Sequence, residues 1–125
     1  MLDGIVHTCT NEITWWEVEL SERIDIDVIY IWNRPDYYRN RLEFATLYLY
    51  DDSTLIFSTP LSGLWETSIA GPSDIIELIL SPSTYSTTKV KIESIDTVSE
   101  WWSKCLNFRE VEVFGKQAVR YFFII

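Results

Sequence analysis

The sequence predicts an all-β protein, an antiparallel β-sandwich of about eight short strands. Apolar residues either alternate with polar ones or form short continuous runs along most of the chain. Polar turns, several with Pro or Gly, separate these segments. No 3.6-residue apolar repeat is sustained, and 15% of the residues are aromatic, which suits strands.

The first two predicted strands are joined by a turn. Trp15–Leu20 alternates between apolar and acidic positions, as a half-buried strand does. Ser21-Glu22 is the predicted turn. Ile24–Trp32 follows as a long apolar run, which indicates a central strand covered on both faces.

The later strands are shorter. A hairpin turn at Asp51-Asp52-Ser53 and a long loop over Pro60–Pro72 interrupt them. The predicted strands cover Phe44–Tyr50, Leu55–Ser58, Ile75–Leu80, the segment around Val90 and Ile92, Leu106–Phe114 and Ala118–Ile125.

The Leu106–Phe114 segment changes phase. Leu106 and Phe108 share one phase, and Val111 and Val113 share the other. The change predicts a β-bulge that turns Glu110 inward, since bulges re-aim side chains.

The length and the net charge of the chain narrow the classes of function that it could have. At 125 residues the chain is one domain, and its net charge of −9 argues against nucleic acids and anionic membranes. The sequence has no run of 18 apolar residues, which a membrane-spanning helix would need. Met1–Val6 has no signal-peptide features. Cys9 and Cys105 cannot form a zinc site by spacing, and the sequence leaves open whether they form a disulfide.

No enzyme signature is found in the sequence. Glycoside hydrolysis normally needs two carboxylates across a cleft, and no such pair is indicated. No Cys-His or Ser-His-Asp arrangement has supporting context either. We therefore expect a non-enzymatic protein.

The Asn33–Leu42 segment holds three arginines, one aspartate and two adjacent tyrosines directly after the apolar strand. Forked guanidinium donors beside an aromatic plate suit a polyhydroxylated ring. The alternative is a charged hairpin loop with surface pairs Arg34–Asp36 and Arg39–Glu43, each contributing ~0–1 kcal/mol.

Three stretches, Trp15–Leu20, Ile24–Arg34 and Leu106–Gly115, resemble the discoidin-like galactose-binding domains, and most of all the fucose-binding F-type lectins (fucolectins). The sugar motif of that family is His, 26 residues, Arg-x-Asp, four residues, and Arg or Lys. Here His7, Arg34, Asp36 and Arg41 meet it without a gap, and His7 is the single histidine of the chain.

The resemblance implies a jelly-roll sandwich and a sugar site. His7, Arg34 and Arg41 would donate to sugar hydroxyls and the ring oxygen, and Asp36 would hold the arginines. Where the family usually has two adjacent, disulfide-linked cysteines, this chain has Tyr37-Tyr38. These rings either supply the apolar plate or block the pocket by bulk, and the sequence does not choose.

The calcium site of the family is expected to be incomplete here. Glu110 matches its calcium-side glutamate, but the family's Asp-Gly-Asn loop lies ahead of the histidine, and this chain starts six residues before His7. Because Ca²⁺ takes six to eight oxygens, we expect an N-terminally shortened sandwich without calcium or another cofactor.

Two functions follow. The first is a lectin module that binds fucosylated glycans, a family usually extracellular. The second is a structural or assembly protein, for example a virion or surface-complex component, with a relic sugar site. The intact His7, Arg34 and Arg41 favour the first. The shortened N-terminal part, the missing signal peptide and the apolar extension at residues 116–125 favour the second, because the extension could join copies into a homo-oligomer or a larger assembly.

Deleting Tyr121–Ile125 should either unfold the domain or dissociate an oligomer. Five apolar residues of high β propensity are an aggregation hazard unless buried. Size-exclusion chromatography with light scattering on the parent and the deletion separates the two outcomes. A soluble, monomeric deletion as stable as the parent would show that the tail is idle.

Overall fold

The computed structural model describes residues 6–8, 15–33, 39–64, 75–82, 85–94, 106–108 and 110–117. For residues 6–8, 39–41, 107 and 117 the description covers the backbone only. The loop residues Arg34, Asp36, Tyr37 and Tyr38, most of the Pro60–Pro72 loop and the predicted strand Ala118–Ile125 lie outside the described residues.

The described part of the chain contains eight strands and one short 3₁₀ helix, and every strand pairing in it is antiparallel. This confirms the all-β prediction. No described helix is long and apolar enough to cross a membrane. The strands are β1 Val6–Thr8, β2 Trp15–Trp32, β3 Ala45–Asp51, β4 Thr54–Pro60, β5 Ile75–Ile79, β6 Ser86–Ser94, β7 Leu106–Phe108 and β8 Glu110–Gln117, with the 3₁₀ helix at Arg39–Phe44.

Strand β2 joins the two layers of the sandwich. Its first part pairs with β6, and its last part lies between β5 and β8. The strand order is β4-β3-β6-β2-β5, with β8 also paired to β2. The sheet thereby curls around one core, made chiefly of Ile26, Ile29, Ile31, Leu42, Leu47, Leu49, Leu61, Ile76, Val90, Ile92, Leu106 and Phe108.

The predicted turn at Ser21-Glu22 is wrong, because β2 continues through it. Its pairing with β6 changes register between Glu19 and Ile24, so the chain bulges without reversing. The segment has no Gly or Pro to turn the backbone. Arg23 is also held in place, since its Nε and Nη2 donate to Asp51 Oδ1 at 3.1 and 2.5 Å.

A second irregularity in β2, between Ile26 and Val28, reverses the buried face. Ile26 is in the core before it, and Ile29 and Ile31 are in the core after it. A slip of one residue moves every later side chain to the other face of a strand. The prediction of a central strand is confirmed, and of its two faces one is in the core while the other is half-buried at Val28, Tyr30 and Trp32.

Gly115 of β8 lies beside this irregularity, opposite Ile26. A Cβ at Gly115 would lie 2.2 Å from the Asp25 carbonyl oxygen and 2.7 Å from Ile24 Cγ2. Only glycine allows the two backbones to approach this closely, and glycine within a strand often marks such a site.

The β3–β4 hairpin confirms the turn predicted at Asp51-Asp52-Ser53. Asp52 has a φ of 55°, a left-handed conformation that Asp tolerates better than most residues. Its backbone N–H donates to Thr88 Oγ1 at 2.6 Å, which ties the turn to β6.

The phase change near Glu110 falls at residue 109, which lies outside the described residues, so the predicted β-bulge stays a prediction. β7 pairs with β1, and β8 pairs with β2. Leu106 and Phe108 are buried, and Val111 and Val113 also pack on the core. Glu110 lies in the opposite phase, across from Trp32. The prediction that Glu110 turns inward is therefore wrong.

We predict that Cys9 and Cys105 lie close together in the fold, although both are outside the described residues. The register of β1 with β7 bears on this prediction, because Thr8 pairs with Leu106. If the pairing continued by one step, Cys9 would oppose Cys105 at a Cα separation that a disulfide allows.

Replacing Gly115 with alanine should lower the free energy of unfolding by ~3 kcal/mol or more, because the new Cβ meets a backbone carbonyl that cannot move alone. Denaturant unfolding measures the change. The matched control is Gly63→Ala. Gly63 has a φ of 77° but nothing within 4 Å of a Cβ, so only the conformational cost of about 1 kcal/mol applies. Equal losses in the two variants would contradict the close approach.

Candidate functional site

Strands β1 and β7 form a two-stranded antiparallel sheet of their own. In its register His7 is paired with Asn107, at the centre of both strands. The side chains on either side of Asn107 anchor β7, because Leu106 and Phe108 are both 0% exposed. Phe108 also makes an edge-to-face contact with Trp16 of β2, with 5.5 Å between ring centroids. The backbone of His7 is therefore held on a firmly packed strand.

Strand β7 also packs against the 3₁₀ helix, which carries Arg41. The next residue, Leu42, is fully buried in the same core as Leu106 and Phe108. One strand, β7, thus contacts both the element that holds His7 and the element that holds Arg41. Two elements that carry motif residues far apart in sequence therefore pack on the same strand.

The third part of the motif begins where β2 ends. Asn33 follows Trp32 directly and is a buried polar residue with 0% exposure. The preceding residue, Trp32, is paired with Glu110 of β8, two residues after β7 ends. Arg34 is the next residue along the chain, so the Arg-rich segment starts from a fixed, buried anchor.

The 3₁₀ helix is fixed on its other side by Glu43, which the sequence did not single out as a positioning residue. Ser62 Oγ donates to Glu43 Oε1 at 2.6 Å, and the Gly63 N–H donates to Oε2 at 3.1 Å. The Leu61 N–H also donates to the Ala45 carbonyl at 2.9 Å. These bonds attach the turn after β4 to the 3₁₀ helix. Nothing in the local sequence around Glu43 indicates partners so far along the chain.

The predicted site residues are described to different extents. His7 and Arg41 are described by backbone only, and Arg34, Asp36, Tyr37 and Tyr38 lie outside the described residues. Their contacts with a ligand stay predictions. Glu110 is described and lies half-buried beside Trp32. Within the described ranges, no group of three or more His, Cys, Asp or Glu could hold a metal ion.

An open groove of about 360 Å³ lies elsewhere, beside the first irregularity of β2. Its lining includes Glu22, Arg23, Asp52 and Lys89. Arg23 is ten residues before Asn33 in an extended strand, roughly 30 Å away at the rise of a β-strand. The Arg23 guanidinium is bound to Asp51 and Asp52, so it acts as a structural link within the groove.

Comparisons with known proteins agree with this architecture. No family model and no curated protein matches the sequence. Among solved structures, a Streptococcus pneumoniae fucose binding module is similar with a TM-score of 0.69 and 22% identity, over 90% of this chain and 70% of that one. The lectin domain of Lectinolysin, complexed with Lewis B antigen, is similar with a TM-score of 0.67 and 22% identity, over 90% of this chain and 72% of that one. The chain therefore has the β-sandwich fold that these sugar-binding modules share.

Proposed function

We propose that this protein is a carbohydrate-binding module for terminal L-fucose or a similar sugar. The observation that carries the proposal is the packing of β7 against both β1 and the 3₁₀ helix, the two elements that carry His7 and Arg41. Arg34 follows the buried end of β2. The fold shared with fucose binding modules supports the same assignment.

The residue types suit a sugar. Two arginines offer ten N–H donors in planar forks, and a histidine adds a ring donor or acceptor. Asp36 would accept from one guanidinium and so fix its direction, a charge-assisted bond with defined geometry. Tyr37 and Tyr38 follow at once, and an aromatic face can pack on the apolar C–H side of a pyranose. Such a site orients a sugar by its hydroxyls.

The proposed role is binding without catalysis. His7, Arg34 and Arg41 would act as hydrogen-bond donors, and the proposed site has one carboxylate, Asp36, which the arginines would engage. Hydrolysis would need a second carboxylate at a distance of about 5–10 Å across the glycosidic bond. Non-catalytic binding domains of the same fold, such as the lectin domain of Lectinolysin, support this role.

L-Fucose should bind weakly at a single site, and Arg34→Ala and Arg41→Ala should each abolish detectable binding. Each change removes a charge-assisted donor that contributes ~1.5–3 kcal/mol, a large share of what so small a ligand can gain. Isothermal titration or saturation-transfer NMR measures the loss.

Arg39→Ala is the matched control, since Arg39 begins the same 3₁₀ helix and has the same charge but stands outside the motif. It should bind fucose nearly as well as the parent. If Arg34→Ala and Arg41→Ala bind like Arg39→Ala, the sugar site lies elsewhere.

Fucose binding should not require calcium. A family-type site needs several oxygen ligands besides Glu110, and no group of three or more His, Cys, Asp or Glu within the described residues could hold a metal ion. A chelator should leave both the melting temperature and the fucose affinity unchanged. A large fall in melting temperature that added calcium reverses would show a metal site formed by other residues.

A further inference from the structure

We infer that the outer face of strands β5, β2 and β8 is a docking surface for a basic segment of a partner protein. This outer face is the side opposite the core, and it exists because β2 reverses its buried side after Ile26. Its strands are other elements than those that carry His7 and Arg41 of the proposed sugar motif, which lie on β1 and the 3₁₀ helix.

An apolar row crosses the outer face at one register position. Val28 of β2 is paired with Ile79 of β5 on one side and with Phe114 of β8 on the other. Ile79 is 65% exposed and Phe114 is 48% exposed. Two exposed apolar side chains with the half-buried Val28 between them form a patch across three strands, and such a patch marks an interaction surface more often than scattered single residues do.

An acidic row lies next to it. Tyr30 is paired with Glu77 on β5 and Glu112 on β8, so two carboxylates flank one ring. The spacing of strands places the two glutamate backbones about 10 Å apart. Glu110 is in the same phase of β8 as Glu112, which adds a third carboxylate to this side.

The aromatic side chains hold these carboxylates in position. Trp32 Nε1 donates to Glu112 Oε1 at 2.5 Å. Tyr30 contacts Phe114 edge-to-face, with 5.9 Å between ring centroids. A hydrogen bond to Glu77 raises the pKa of Tyr30 above its ordinary value of 10.0, and burial and the charges of Glu77 and Glu112 raise it further. The carboxylates of Glu77 and Glu112 therefore make the surroundings of the Tyr30 ring negative.

The negative charge of the outer face favours a positively charged partner. Among the described residues, no Lys or Arg is paired in register with Tyr30, whose partners are Glu77 and Glu112. The same holds for the pair of Trp32 and Glu110. An arginine or lysine over the Tyr30 ring would gain a cation–π contact and two carboxylates together. An apolar side chain beside it would cover Ile79 and Phe114. A neutral glycan could stack on the rings of Tyr30 and Trp32, but it would not neutralise the glutamate carboxylates of the outer face.

The test titrates the full-length protein with a capped peptide of alternating arginine and leucine. Binding is measured by isothermal titration and by amide chemical shifts of β5 and β8. Affinity should fall steeply between about 0.1 M and about 1 M salt, where the screening length shrinks from ~10 to ~3 Å. The double variant Glu77→Gln/Glu112→Gln should bind roughly tenfold more weakly.

The matched control is Glu19→Gln/Glu22→Gln, which removes the same number of charges from exposed positions of the first part of β2. It should change the affinity less than about twofold. Ile79→Ser alters only the apolar row and should weaken binding roughly fivefold. Melting temperatures check that every variant is folded.

Equal losses in the two double variants, or no loss in Ile79→Ser, would mean that the peptide follows net charge alone and would overturn the proposal. No peptide binding at low salt would overturn it as well. A neutral oligosaccharide that shifts the β5 and β8 amides, and loses affinity in Ile79→Ser with fucose binding intact, would assign the face to a glycan instead.

Discussion

The close approach of Gly115 to the Asp25 carbonyl is the contact on which the rest of the arrangement depends. It lies where β2 and β8 change register, between Ile26 and Val28. Before this point β2 presents Ile26 to the core, and after it Ile29 and Ile31. Any side chain larger than hydrogen at Gly115 would push the two strands apart. The slip is therefore fixed by a steric constraint together with the burial of three isoleucines.

The same slip determines which surface each functional region occupies. With Ile29 and Ile31 in the core, Val28, Tyr30 and Trp32 must point outward and form the outer face. Trp32 then pairs with Glu110, which fixes the end of β2 beside the start of β8. Asn33 is buried at that end, and the Arg-rich segment begins directly after it. The proposed sugar site and the proposed docking surface both follow from the path of one strand.

Much of this fold could be predicted from the sequence, because alternation and apolar runs mark strands directly. Trp15–Leu20 and Ile24–Trp32 were assigned to strands on that pattern, and both lie in β2. The pattern could not show that they are one strand, since Ser21 and Glu22 are common in turns and the contact of Arg23 with Asp51 is long-range. Nor could it show the reversal after Ile26, which depends on Gly115 at the other end of the chain. Gly115, which directly follows the predicted strand Leu106–Phe114, was the available signal.

The candidate site was predictable to a different degree. The spacing of His7, Arg34, Asp36 and Arg41 indicates which residues to test, because it matches a known sugar motif. The elements that hold them were not visible in the sequence. The anchoring of the 3₁₀ helix by Glu43 depends on Ser62 and Gly63, whose positions only the folded backbone brings near. The motif indicates which side chains could bind a sugar. The contacts that hold the 3₁₀ helix in place are tertiary, so the motif does not show them.

The central claim is that a sugar binds where β1, β7 and the 3₁₀ helix meet. The most direct test is a map of backbone amide chemical shifts on the labelled protein as L-fucose is added. The account predicts that the largest changes fall within residues 6–8, 33–41 and 106–108, with little change at Ile79, Phe114 or the groove around Arg23. Saturable changes confined to the outer face or to that groove, with His7 and Arg41 unaffected, would contradict it.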